Sequence, residues 1–113
     1  MHELPVTQNI LDIAIKHGKN SNASRILQLN IVIGQLSSFI DDSIQFYWDL
    51  ISKDTMAEGA TLNIKRIPAE FSCLDCGNHY NISPDGFECP DCGSSHVEIL
   101  TGKEFYLDSL DIE

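Results

Sequence analysis

No stretch of this chain approaches the roughly 18 consecutive apolar residues of a membrane helix. Its start shows no basic segment, no apolar core and no small-residue cleavage site of a secretory signal. These absences argue against a membrane partner and against an oxidising compartment, so the expected location is cytoplasmic. Basic residues are also scarce, with seven Lys and Arg against seventeen Asp and Glu and a formal charge of −10. The shortage is uneven: residues 1–66 hold seven acids and six bases, whereas residues 67–113 hold ten acids and Lys103 alone. Such a surface repels a phosphate backbone and argues against nucleic acid as a partner. There is no Gly-rich phosphate loop, no nucleophile with a base at recognisable spacing and no catalytic zinc pattern, so the chain reads as no enzyme. Repeats and low-complexity segments are missing too.

What is present is a set of four cysteines, Cys73-Leu-Asp-Cys76-Gly and Cys89-Pro-Asp-Cys92-Gly. Each Cys-x-x-Cys-Gly reads as a tight knuckle that points two thiolates at one spot, and two knuckles make a tetrahedral S4 site. Zn(II) is the default occupant, because four thiolates satisfy a d10 ion and leave no open coordination position, which makes the site structural. Iron in a rubredoxin-like S4 site is the competing occupant. A pair of disulfides is the third reading, and it needs an oxidising compartment. The lobe holding the cysteines is short enough to need its metal in order to fold. His79, three residues after Cys76, and His96, four after Cys92, are possible auxiliary metal contacts; the competing reading is a surface or packing histidine beside each knuckle.

The pattern of apolar residues predicts an α+β fold. A first helix is expected over about Pro5 to His17, with Val6, Ile10, Ile13, Ala14 and His17 at helical spacing and Gly18 as C-cap. Residues 26–34 alternate as a strand, with Leu27, Leu29, Ile31 and Ile33 on one face and Gln28 and Asn30 on the other. A second helix should begin near Asp41-Asp42, with capping-box spacing between Asp42 and Gln45, and carry Ile44, Tyr47, Trp48 and Ile51 as core. A strand follows from Ala60 to Ile67 after the Glu58-Gly59 turn, and Pro68 ends it. The cysteine lobe comes next, and Glu104 to Ile112 returns as a strand. The last strand is separated from its partners by the cysteine lobe, which therefore reads as an insertion. The expected division is 1–68 plus 101–113 for one domain and 69–100 for the zinc-binding lobe.

A structural zinc lobe leaves the first 66 residues without a role. The chain begins Met1-His2-Glu3, and a free α-amine, the His2 amide nitrogen and the His2 imidazole close a five- and a six-membered chelate ring on one metal. The Glu3 backbone nitrogen completes a planar set of four, a geometry that Ni(II) or Cu(II) prefers and Zn(II) does not. The bulky residue at position 2 argues that Met1 is retained. Taken alone, this start reads as an exposed terminal imidazole, since any protein can carry histidine second.

It does not stand alone. Met1-His2-Glu3 opening a helix, then Ile31-Val-Ile-Gly-Gln-Leu36, then Ala57-Glu-Gly-Ala60-x-Leu62, then the two knuckles and Cys89-Pro-x-Cys-Gly-Ser94, closely resemble the HypA/HybF family of hydrogenase maturation factors over nearly the whole chain. The resemblance implies a nickel metallochaperone with two helices packed on a small three-stranded sheet and a zinc-ribbon-like lobe inserted before the last strand. It implies Ni(II) as transported cargo at Met1, His2 and Glu3, and structural Zn(II) at Cys73, Cys76, Cys89 and Cys92. It also implies delivery to the [NiFe]-hydrogenase large subunit or its maturation complex together with a HypB-like GTPase, and in some bacteria supply to urease maturation proteins. Pro5 departs from the Ser-rich stretch often found in relatives; lacking an amide hydrogen, it leaves donors beyond residue 4 out of the nickel set. The alternative, from another class, is a zinc-ribbon interaction module of a nucleic-acid or transcription complex, which lacks the basic patch it needs.

Overall fold

The computed structural model describes residues 3–82 and 86–113. In chain order the elements are α1 (Glu3–Asn20), β1 (Ile26–Gly34), α2 (Asp41–Ile51), β2 (Thr61–Ile67), β3 (Glu70–Cys73), β4 (His79–Asn81), β5 (Val97–Thr101) and β6 (Phe105–Ile112). The strands form two three-stranded sheets, ordered β2-β1-β6 and β4-β3-β5. The fold is thus the expected α+β arrangement, with the last strand returning beside β1. Among the described residues no helix is long and apolar enough to cross a membrane.

The chain divides into two compact units, one of residues 1–32, 38–65 and 106–113 and one of residues 33–37 and 66–105. In the first, α1 packs against α2. Ile10, Leu11 and Ala14 from α1, Ile44 and Trp48 from α2, and Ile26, Leu29 and Ile31 from β1 are all buried and make its core. The other face of the sheet carries a polar ladder. Asn63 donates to Gln28 and Asn30 at 2.9 and 3.1 Å, Gln28 reaches Asp111, and Asn30 reaches Ser109 at 3.0 Å. The β1 to β6 pairs run in opposite order along the two strands, as an antiparallel pairing requires.

Helix α1 is longer than expected and is rotated about its axis. Its buried residues are Glu3, Thr7, Ile10, Leu11, Ala14 and Gly18, whereas His17 is exposed and Val6 and Ile13 are only half-buried. Two polar residues join the buried stripe because their polar atoms are satisfied within the unit: the Thr7 hydroxyl donates to the Glu3 carbonyl, and the Glu3 carboxylate accepts the Ile40 amide. Pro5 is tolerated because a helix's first amides have no carbonyl four residues back. Gly18 is not the cap. A Cβ there would meet the Met56 methyl at 3.0 Å and the Ile26 side chain at 3.4 Å, so this glycine serves close packing inside the helix. The helix ends where Asn22 takes a φ of 57° and the Ala23 amide bonds back to the Gly18 carbonyl at 2.9 Å.

The capping box expected for α2 does not form. Its N-cap is Ile40, extended at φ −106° and ψ 126°, which offers no side-chain bond, and Gln45 instead donates to Asp49 at 2.9 Å. Strand β1 has the expected bounds, but Leu27 is exposed while Ile26 and Val32 are buried outside the expected face. Strand β2 alternates from Thr61 to Lys65, with Leu62 and Ile64 half-buried.

In the second unit, Ala69, Phe71, Cys73 and Cys89 are buried. Strand β3 pairs antiparallel with β4, setting Phe71 opposite Tyr80 with ring centroids 5.7 Å apart, and with β5, setting Cys73 opposite Val97. The sheet thereby fixes the first knuckle at the end of its central strand.

Candidate metal centre

The two knuckles share one backbone pattern. In the first, the Gly77 amide bonds the Cys73 carbonyl at 2.8 Å and the Cys73 amide bonds the Asn78 carbonyl at 2.8 Å. In the second, the Gly93 amide bonds the Cys89 carbonyl at 2.8 Å and the Cys89 amide bonds the Ser94 carbonyl at 2.9 Å. Gly77 and Gly93 have φ of 79° and 74°, a left-handed conformation that an L side chain resists, which is why a glycine follows each Cys-x-x-Cys.

The turns aim amides at sulfur in the same way. The Cys73 sulfur accepts the Cys76 and Asp75 amides, and the Cys89 sulfur accepts those of Cys92 and Asp91. Cys76 and Cys92 accept the amides of Asn78 and Ser94 respectively. The Asn78 side chain adds a contact to the Cys89 sulfur at 3.8 Å. The consequences for charge follow. The Cys76 amide leads in holding the Cys73 thiol below its ordinary range. Burial pushes Cys89 up, but the amides of Cys92 and Asp91 outweigh it and bring that thiol to about 6. For Cys76 the Asn78 amide pulls down, while the adjoining Cys89 sulfur and burial prevail and push it to about 12. For Cys92 the Ser94 amide pulls down, and the Cys73 sulfur and burial carry the shift upward. Thiolates so supplied with donors are suited to share a dication.

The geometry fits that use. The four sulfurs all lie within 4.8 Å of one another, with Cys73 to Cys92 and Cys76 to Cys89 each at 3.5 Å. A tetrahedron of thiolates around a metal at about 2.3 Å has edges of about 3.8 Å, whereas a disulfide bond is about 2.0 Å long. The pattern is therefore that of a closed S4 centre. Cys73 and Cys89 are buried and Cys76 and Cys92 exposed, so the centre has one inner and one outer sulfur from each knuckle.

Three further residues tie the knuckles together, and the spacing of the cysteines does not announce them. Asp75 lies between the first pair of cysteines, and its carboxylate accepts the Ser94 hydroxyl and faces His96 Nδ1 at 3.4 Å. The Ser94 hydroxyl first, and His96 second, hold the Asp75 carboxyl below the usual range. Ser94 also accepts the His96 amide at 3.0 Å. His79 sits on β4 with Nδ1 3.8 Å from Glu70. Among the described residues the metal-ligand cluster comprises the four cysteines, and each of these two histidines faces a carboxylate.

At the other expected site, Met1 and His2 lie outside the described residues. Glu3 is described and is only 1% exposed. Its Oε2 accepts the Ile40 amide at 3.1 Å, which joins it to the N-terminus of α2. A sequence reading that takes Glu3 only as a backbone donor misses this role, because a first-turn carboxylate is ordinarily solvent-facing.

Comparison with known proteins covers the whole chain. The family described as hydrogenase/urease nickel incorporation, metallochaperone, hypA matches residues 1–112. A hydrogenase maturation factor HypA from Caldanaerobacter subterraneus subsp. tengcongensis is 39% identical over 114 residues, covering 100% of both chains. Another from Dehalococcoides mccartyi is 36% identical over 113 residues, covering 100% of this chain and 95% of that one. Two solution structures share the fold. The Ni metallochaperone HypA from Helicobacter pylori has a TM-score of 0.67 at 24% identity, covering 99% of this chain and 97% of that one. A second HypA protein has a TM-score of 0.73 at 25% identity, covering 100% and 97%. With the family match running from the first residue through the paired knuckles to the last strand, the chain belongs to the HypA family of hydrogenase and urease nickel-incorporation metallochaperones.

Proposed function

We propose that this chain carries Ni(II) on its N-terminus and delivers it for [NiFe]-hydrogenase maturation, and to urease where that enzyme is present, without itself catalysing a reaction. The observation that carries the reading is the family match over residues 1–112, which takes in Met1-His2-Glu3. The donors are the Met1 amine, the His2 amide and imidazole, and the Glu3 backbone nitrogen. A site at a chain terminus suits a carrier, which must let its cargo go.

Cys73, Cys76, Cys89 and Cys92 hold a structural Zn(II), in keeping with a closed all-sulfur donor set. Bound there, the ion supplies cross-linking and no catalysis. The partners are a HypB-like GTPase, which docks on the nearly neutral residues 1–66, and the hydrogenase large subunit or its maturation complex in the cytoplasm. The acidic surface of residues 67–113 is less suited to the GTPase.

The test compares the parent chain with His2→Ala. Calorimetry should show tight Ni(II) binding lost, with zinc content and circular dichroism unchanged, and hydrogenase activity in cells should fall with it. A variant that binds Ni(II) as the parent does and still matures hydrogenase refutes the assignment.

A further inference from the structure

The second unit presents a groove of about 400 Å³ that none of the four cysteines lines. It is lined by Leu36, Phe71, Phe87, Val97 and Ile99, with Ser95 as its polar member. The register explains the apolar floor. Phe71 opposes Ile99 and Cys73 opposes Val97, and directly opposed residues of an antiparallel pair project to one side of the sheet. Phe71 is buried, but Phe87 is 44% and Ile99 38% exposed, so the groove is open to solvent.

Among the described residues of this unit, the strand beside it is an open edge. The order β4-β3-β5 leaves β5 with one paired neighbour. Edge strands are usually guarded by lysine, proline or inward-pointing charge. Strand β5, Val-Glu-Ile-Leu-Thr, has only Glu98, and its Ile99 and Leu100 are both exposed. An open edge next to an apolar groove is the arrangement by which sheets take up an extended peptide. Main-chain hydrogen bonds then give affinity, and alternate side chains give specificity.

Charge selects the occupant. Residues 66–105 hold seven acids against Arg66 and Lys103, and four thiolates around one dication add a formal −2. The same face of a second copy would bring the same sign to the contact and be repelled. In an added strand of period two, one set of side chains enters the groove while the other lies on the opposite face, where Glu98 stands opposite Ser72. We infer that the edge of β5 and the groove beside it dock an extended segment of a partner protein in which apolar residues alternate with lysine or arginine. This surface does not depend on the nickel reading.

The test uses the zinc-loaded full chain and three fluorescein-labelled probes followed by anisotropy. They are a peptide alternating Lys with Val and Ile, its Glu counterpart, and the lysine peptide with alternate backbone amides N-methylated. The lysine peptide should bind, weaken as salt is raised, and slow amide exchange over residues 97–101. The other two should bind at least about tenfold more weakly, and Ile99→Lys should lose the lysine peptide while keeping its zinc. His2→Ala should bind it as the parent does, which separates this proposal from the nickel assignment. If Ile99→Lys fails to fold, the N-methylated peptide on the parent chain decides. Equal binding of the glutamate or N-methylated peptide overturns the inference, as does no binding of any probe. Self-association of the chain with β5 protected also overturns it, since the occupant would then be a second copy.

Discussion

The Glu3 carboxylate and the Ile40 amide meet at 3.1 Å, although 37 residues separate them in the chain. The bond stands in for the capping box that α2 lacks, since the N-cap residue Ile40 has no side chain able to cap and needs a partner for its own N–H. It also places a negative group at a helix N-terminus, where the macrodipole favours one. The residue that follows the proposed nickel histidine therefore has a structural task in its side chain.

Glu3→Ala should loosen the start of α2 and leave the S4 centre alone. Amide exchange at Ile40 and in the first turn of α2 is expected to quicken by about tenfold, with zinc content constant. Glu3→Gln, which keeps a carbonyl acceptor, should restore part of the protection. Unchanged exchange in the alanine variant would show that the bond contributes nothing to the cap.

Gly34→Ala should be among the most damaging single-methyl changes in the chain. A Cβ at Gly34 would stand 2.0 Å from the Gly102 carbonyl oxygen and 2.6 Å from the Lys103 nitrogen, both backbone atoms that no rotamer can move. The cost should reach about 2 kcal/mol or more in denaturant titration. A loss below a few tenths would mean that the segments part without penalty.

What was legible in the sequence depended on how local its cause is. Strand β1 has the bounds that its alternation predicts, and the two knuckles form because spacing and glycine suffice to make them. Gly18 misled because glycine after an apolar stripe reads as a cap, while its actual reason, the Met56 and Ile26 side chains lying against it, comes from elsewhere in the chain. Glu3 and Thr7 are buried only because each finds a partner in the folded unit. The links from Asp75 to Ser94 and from Asn78 to Cys89 exist only once the knuckles have met.

Asp75→Ala should speed metal loss without changing the ligand set, since Asp75 joins one knuckle to Ser94 and His96 of the other. Groups that orient metal ligands typically affect metal retention by 10- to 100-fold, and about tenfold faster zinc transfer to a chromophoric chelator is expected here. Transfer at the parent rate would show that the sulfur cage alone sets retention.

Cys89→Ala should abolish stoichiometric zinc binding and lose protection over residues 66–105, because a unit with so few buried apolar side chains depends on its metal. The core around Ile10, Leu29 and Trp48 draws on other residues and should keep its exchange protection. Global unfolding of the variant would show that the first unit relies on the second.

Acid should empty the proposed nickel site before the zinc site. Binding at Met1-His2-Glu3 requires a neutral amine, a neutral imidazole and ionised amides, so protons leave as the metal enters and affinity must fall as pH falls. Imidazole and amine have ordinary pKa values of about 6.5 and 7.7–8.0, so the loss should be steep from neutrality down to about pH 5.5. In the S4 centre the Cys73 sulfur takes the amides of Cys76 and Asp75, and Cys89 those of Cys92 and Asp91. These donors favour the thiolate form at two of the four sulfurs; Cys76 and Cys92 are pushed upward by the neighbouring sulfurs, a repulsion that a shared dication relieves, so the closed centre should hold its metal to lower pH. Parallel titrations of nickel and zinc occupancy, read by elemental analysis after rapid desalting, should therefore show nickel lost first. Zinc leaving first, or both together, would contradict the division of labour between a releasable terminal site and a closed sulfur centre.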